Sequence, residues 1–265
     1  MSEAIVIEKP TLTPLQAMGK VGITHPYEVL LWTPRKHVDY TDLCTPAQLW
    51  DRIDQRDMDE LTIASEPTKH PTKKGMFNIR TLDSEGNEHK LSAFGDVRFS
   101  PWKSIALGEK AFVVCKPSLY NDRLYLNGPE LVPEGWAHRV MPVYAGKPGV
   151  LAAAVVAQAA NEAIANEAAV TEACFAIRQA FNGAEEEHIL KLAGLGGSLL
   201  LLIYGLHNPK SMKMAQWAMY AAKRLAIAYV KFSAEQASTR PLRMQTMIRT
   251  SEDEVRTLMK ALPFA

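Results

Sequence analysis

Between residues 60 and 132 the chain breaks into short strand-like runs separated by turn residues, and no other feature limits the fold as much. ELTIASEPT, FNIRTLDSEGNEHKLSAFG and KAFVVCKPSLYNDRLYLNGPELV are rich in β-branched and aromatic residues. Asp83-Ser84-Glu85-Gly86-Asn87 and Tyr120-Asn121-Asp122 punctuate them. The stretch from Asp96 to Leu107 is less strand-like and reads as a short helical interruption. Five short strands with one such interruption, in about 75 residues, is the pattern of an OB-fold barrel, a small sheet closed on itself.

Both flanks are helical. Residues 12–32 read as two short helices. Leu15, Met18, Val21 and Ile23 face Tyr27, Leu30 and Leu31, and Gly19 and Gly22 permit the turn between them. Thr33-Pro34 stops the second helix before a basic run, Arg35-Lys36-His37. Residues 133–150 read as a Pro- and Gly-rich linker. Beyond it the pattern predicts helices over 151–181, about 184–206, and from Pro209 to about Ala237, with a last short one over 252–262. The expected class is α+β: N-terminal helices, a five-stranded OB-fold barrel, then a C-terminal helical bundle. The expected units are 1–58, 59–135 and 136–265.

The net charge of +1 gives no overall nucleic-acid signature, so any basic surface must be local. Charge is in fact segregated. Residues 150–190 hold six acids against Arg178 alone, whereas 205–249 hold eight Lys or Arg against Glu235 alone. Cys44, Cys115 and Cys174 are widely spaced and form no CxxC pair, which argues against zinc and suits a reducing, cytoplasmic setting. The N-terminus lacks a signal-peptide pattern, and the apolar run at 195–204 is too short to span a bilayer, so no membrane is expected.

No GxxxxGK[ST], HExxH or GxSxG motif occurs, and Ala145–Gly149 lacks the spacing of a phosphate loop. No catalytic residue, metal ligand or cofactor is therefore expected.

The barrel carries the candidate binding residues. The loop Lys69-His70-Pro71-Thr72-Lys73-Lys74-Gly75 joins the first two strands, a position OB folds use on nucleic acid. Lys69, Lys73 and Lys74 are read as phosphate contacts. The segment Phe94–Lys103 mixes Phe94, Phe99 and Trp102 with Arg98 and Lys103. Aromatic stacking on a base is worth about 1–3 kcal/mol whatever the sequence. Phe94, Arg98, Phe99 and Lys103 are therefore candidate DNA contacts, and Trp102 is assigned to the core. Arg35, Lys36 and His37 are weaker candidates for phosphate contact, and a solvated run is the favoured reading there. His207 is read as a structural histidine capping the helix junction before Pro209, not as a ligand. Lys223 either touches duplex phosphates or faces a neighbouring domain, and Arg224 is assigned the second role.

Several short motifs occur in the order found in RecG-type DNA helicases. They are Gly22-Ile23-Thr24, Leu30-Leu31, Pro34-Arg35 with Asp39, and Met141-Pro142-Val143-Tyr144. Further on come Gly205-Leu206-His207-Asn208-Pro209-Lys210, Ala222-Lys223-Arg224-Leu225-Ala226 and Leu262-Pro263-Phe264. Together with Asp83, Phe94, Gly108 and Val113-Val114 of the barrel, the chain resembles the part of such a helicase that precedes its motor. The resemblance implies a wedge barrel that sits at a branch point and separates strands, with replication forks and Holliday junctions as partners in repair and recombination. It also implies two stacking aromatics. Phe94 matches the first; the second falls on Arg98, with Phe99 one step further. A helicase motor or a replication protein is the implied protein partner, and ATP and magnesium would enter only through such a motor domain elsewhere. Two other readings stand beside this one: a single-strand-binding OB-fold accessory protein, and an adaptor whose helices hold a partner.

Overall fold

The computed structural model describes residues 12–71, 73–121 and 123–239; the helix expected at 252–262 lies outside them. The N-terminal segment forms α1 (Pro14–Met18) and α2 (Pro26–Leu30), joined by a 3₁₀ turn at Gly19–Val21. Thr13 and Gln16 make a reciprocal capping box on α1, with Pro14 at its first position. Gly22 ends the 3₁₀ turn at φ 86°, a conformation glycine adopts without steric cost, and so reverses the chain into α2. Leu31, expected to face the other helix, is 43% exposed; it lies one residue past the end of α2 and turns off its buried stripe.

The basic run does not remain a solvated loop. Lys36 and His37 open β1 (Lys36–Asp39), and the His37 ring lies 2.7 Å from the Leu206 carbonyl oxygen. A short helix that the periodicity did not signal, α3 (Pro46–Asp51), follows.

The barrel comprises β2 (Asp57–Ile63), the two-residue β3 (Thr68–Lys69), β4 (Met76–Leu82), β5 (Glu88–Phe94), β6 (Lys110–Tyr120) and β7 (Arg123–Leu131). Neighbour order is β2-β6-β7-β5-β4, closed by a β2–β4 pairing, with β3 as an extension on β4. All contacts in the ring are antiparallel except β5 with β7, which is parallel. This is the five-stranded OB-fold expected from the sequence. Two 3₁₀ turns, Val97–Phe99 and Pro101–Ser104, fill the expected helical interruption. Leu61, Phe77, Ile79, Leu91, Val113 and Leu126 fill the interior, and Trp102 plugs it at 4% exposure.

The expected linker 133–150 is partly strand. β8 (Val140–Val143) pairs antiparallel with β1 from Lys36↔Val143 to Asp39↔Val140. Neither piece is long or apolar enough to announce itself; each is a strand because the other is there.

The helical bundle also differs in detail. The predicted helix over 151–181 is two, α4 (Ala153–Ile164) and α5 (Glu167–Ala180). The break falls at Asn166, whose side chain accepts from the amides of Ala168 and Ala169 and so starts a new helix. The predicted helix over 184–206 is α6 (Glu186–Ala193) and α7 (Leu199–His207), split where Gly194 adopts φ 65° and Ser198 caps α7. The last described element, α8 (Met212–Thr239), matches its expected extent.

The N-terminal helices do not stand alone. Met18, Val29 and Leu30 share one buried cluster with Val156, Val170 and Ile203 of the C-terminal helices. His207, 1% exposed, joins three parts of the chain. Its Nε2–H donates to the Leu30 carbonyl (2.8 Å), and its Nδ1 accepts from the Tyr144 hydroxyl (2.7 Å). A carbonyl can only accept, so the neutral tautomer is fixed, and burial pushes the imidazole pKa down to about 4. The structural role predicted for His207 therefore holds, but as a clamp between segments rather than a cap. Arg224, predicted to face another domain, donates through Nε to the Ala193 carbonyl (2.9 Å) and ties α8 to α6.

Candidate functional site

Strand alternation decides which way the candidate aromatic points. Along β5, His89, Leu91 and Ala93 are buried while Glu88, Lys90 and Phe94 are exposed. Phe94 takes the outward phase at the last position of the strand and is 78% exposed. Gly95 follows at φ 116°, a region closed to side chains with a Cβ, and swings the chain away from the sheet. Phe94 is thus left at the rim of the barrel.

Register brings the basic loop to the same rim. Met76 lies opposite Phe94, and the Gly95 amide donates to the Gly75 carbonyl at 2.8 Å. Across β3–β4, Lys69 pairs with Phe77, and the His70 amide donates to the Met76 carbonyl at 2.9 Å. The loop is folded on itself, since the Lys73 amide donates to His70 Nδ1 at 3.0 Å. Lys69, Lys73 and Lys74 are all exposed; Thr72 lies outside the described residues. Residues more than twenty positions apart in sequence therefore form one end of the barrel.

Arg98 belongs to this end but is not a loose side chain. Its Nε and Nη2 donate to both carboxylate oxygens of Asp96, the shortest contact being 2.6 Å. The hydrogen bonds from Arg98, with a smaller contribution from nearby Lys69, hold the Asp96 carboxyl down to about 2. The pair fixes the guanidinium by its edge while the Arg98 side chain stays 76% exposed. Lys103 is exposed in the second 3₁₀ turn, directly after buried Trp102. The side chain of Phe99 lies outside the described residues, although its backbone closes the first 3₁₀ turn.

An open groove of about 1230 Å³ runs from Phe94 past Pro101 and Phe112 to the 133–137 segment. Among the described residues, Glu109, Glu130 and Glu134 line it against one cation, Lys110; Lys110 lies 3.6 Å from Glu60, and Glu130 pairs with Arg56. That charge balance disfavours phosphate, so the cationic side of Phe94 is the 69–75 loop rather than the groove. The sequence reading missed this acidic groove, because its acids lie on or beside β6 and β7 and meet only through the antiparallel pairing of those strands.

Among the described residues, no group of three or more His, Cys, Asp or Glu is arranged to hold a metal ion, and no helix is long and apolar enough to cross a membrane.

The strand order, the parallel β5–β7 pair and the 3₁₀ turns between β5 and β6 define an OB-fold barrel carried on a helical body. No protein-family model matches the sequence, and no curated protein does. Among solved structures, the fold is similar to that of RecG bound to a three-way DNA junction. The identity is 19% over 99% of this chain and the TM-score is 0.46; this chain spans 36% of the length of that RecG chain. A lipoprotein from Klebsiella pneumoniae subsp. pneumoniae MGH 78578 is similar over 50% of this chain and 98% of its own, with 12% identity and a TM-score of 0.27.

Proposed function

We propose that this chain binds branched DNA, replication forks and Holliday junctions among it, as the substrate-recognition and strand-splitting part of a RecG-like helicase. The observation that carries this reading is the juxtaposition at one barrel end of an exposed Phe94 and the cationic 69–75 loop. A phenyl ring standing out at a barrel rim has no packing role to explain it, and it presents a flat apolar face to an unpaired base. The lysines beside it supply the sequence-independent attraction to phosphate. Arg98, paired with Asp96, stands where the resemblance implies the second aromatic. The ordered motifs from Gly22 to Phe264 support the family part of the reading.

The test is a comparison of fork, four-way junction, plain duplex and oligo-dT by fluorescence anisotropy, with the unaltered protein and with Phe94→Ala. The expected result is preference for branched DNA that Phe94→Ala reduces about tenfold, equivalent to 1.4 kcal/mol of lost stacking, with duplex affinity within about twofold. Equal affinity of the unaltered protein for oligo-dT and fork would favour the single-strand-binding reading instead. Absence of binding to any of the four at low salt would leave the adaptor reading.

A further inference from the structure

The longest helix among the described residues carries an exposed face that meets the rest of the fold only in part, where Gln216, Tyr220 and Lys223 border a small pocket with His37 of β1. Over its 28 residues α8 contains one acid, Glu235. Its buried positions, among them Ala218, Ala221, Leu225 and Ala228, pack on α6 and α7. On another face Lys213, Gln216, Tyr220, Lys223, Ile227 and Lys231 are all exposed. At 3.6 residues per turn these six fall within an arc of about 80°. Tyr220 is 57% and Ile227 51% exposed, so the ridge mixes cations with an aromatic and an aliphatic side chain. Among the described residues, Lys213, Lys223 and Lys231 take part in none of the ion pairs. The six acids of residues 150–190 sit on α4, α5 and the start of α6.

We infer that this ridge is a second DNA contact, a track for the phosphate backbone of a duplex arm. The inference rests on the reading of the barrel end given above and extends it to a separate surface. The spacing fits a duplex. Along the axis Lys213 and Lys223 are about 15 Å apart, and Lys223 and Lys231 about 12 Å, at 1.5 Å per residue. The major groove of B-form DNA is about 12 Å wide, so successive lysines reach phosphates on either side of one groove. Charge selects the occupant: a single-sign row of cations without interleaved acids attracts a polyanion. Arg224, by contrast, is engaged with Ala193 and contributes structure.

The experiment measures binding of a labelled 20-base-pair duplex, a three-way junction and a 20-nucleotide single strand across a salt series. It uses the full chain and its Lys213→Gln/Lys223→Gln/Lys231→Gln variant, with circular dichroism as the check on folding. The expected result is a duplex affinity lower by roughly tenfold or more, and single-strand affinity within about twofold. The slope of log affinity against log salt should shrink by up to about 2.7, at about 0.9 per phosphate contact. An unchanged duplex affinity and slope in a folded variant overturns the track while leaving the barrel reading intact. Equal weakening on duplex and single strand also overturns it, since that signals a diffuse field. Poly-glutamate competing as well as duplex at equal charge overturns it in favour of an acidic protein partner. If the unaltered chain binds none of the three DNAs, the barrel reading and the track fail together.

Discussion

The two ends of the same barrel use polar and aromatic side chains in opposite ways. At the Phe94 end an aromatic ring and three lysines stand in solvent without burial to hold them. At the other end polar groups are buried and committed. Asp83, 7% exposed, accepts from the Glu85 and Asn87 amides, from Asn87 Nδ2 at 3.0 Å, and from His89 Nε2 at 2.8 Å. Burial pushes the Asp83 carboxyl up, but these hydrogen bonds outweigh it and hold the group below its ordinary value. Asp59, 2% exposed, takes a hydrogen bond from the Cys115 thiol at 3.1 Å on one oxygen and has no partner on the other. One end commits its polar groups to burial; the other, plugged inside by Trp102, keeps Phe94 and the lysines in solvent.

That contrast predicts which substitutions change stability and which change binding. The largest effect belongs to Asp83→Ala, which strands His89 and two turn amides. Removing one member of a buried pair costs about 3–5 kcal/mol. At roughly 2–4 °C per kcal/mol the melting temperature should fall by about 10 °C, with DNA affinity of the folded protein unaffected. A junction-binding defect measured well below the transition would break the division between the ends. Next comes Phe94→Ala, with its roughly tenfold loss on branched DNA and a melting temperature within about 1 °C of the parent. A fall of several degrees would make Phe94 a structural residue.

Asp59→Asn should stabilise the protein, in a pH-dependent way. Burial, reinforced by Asp57, raises the Asp59 pKa to about 6, although the Cys115 hydrogen bond opposes the shift. Its folded value thus exceeds its unfolded one. The stability it allows is fully present below about pH 4, is lost as pH rises to about 6, and is flat above that. The gain of Asp59→Asn should therefore be small near pH 4 and level off above pH 6, read from thermal melts across that range. A gain independent of pH would mean that folding leaves the Asp59 pKa unshifted, and a gain still climbing well above pH 6 would mean that Asp59 stays neutral throughout. The smallest effect is expected from Asp96→Asn at the open end. Removing a carboxylate beside Lys69 and loosening Arg98 should raise junction affinity about two- to fivefold. Weaker binding would mean that the fixed orientation of Arg98 outweighs the charge.

The barrel was legible in sequence because its strands carry local marks: β-branched runs, the Asp83–Asn87 turn and the Tyr120–Asp122 turn. β1 and β8 were not, because four residues such as Lys36–Asp39 become a strand only against Val140–Val143, a hundred positions away. The splits within the bundle were partly visible, in Asn166 as a cap and Gly194 as a left-handed stop, but an alanine-rich pattern runs on through them. The basic loop and Phe94 were each readable, and so was the outward phase of Phe94 from the alternation of His89, Leu91 and Ala93.

By itself the sequence determined the class of fold, the residue types available for stacking and phosphate contact, and the lack of a phosphate-loop motif. Local propensity and alternation depend only on neighbours in the chain, so these features needed nothing more. The tertiary structure decided what those residues form together. Register placed Phe94 beside the 69–75 loop, pairing of β6 with β7 gathered Glu109, Glu130 and Glu134 into one groove, and His207 joined Leu30 to Tyr144. Contacts between residues distant in sequence depend on packing and strand pairing, and no local pattern encodes which distant partner will arrive.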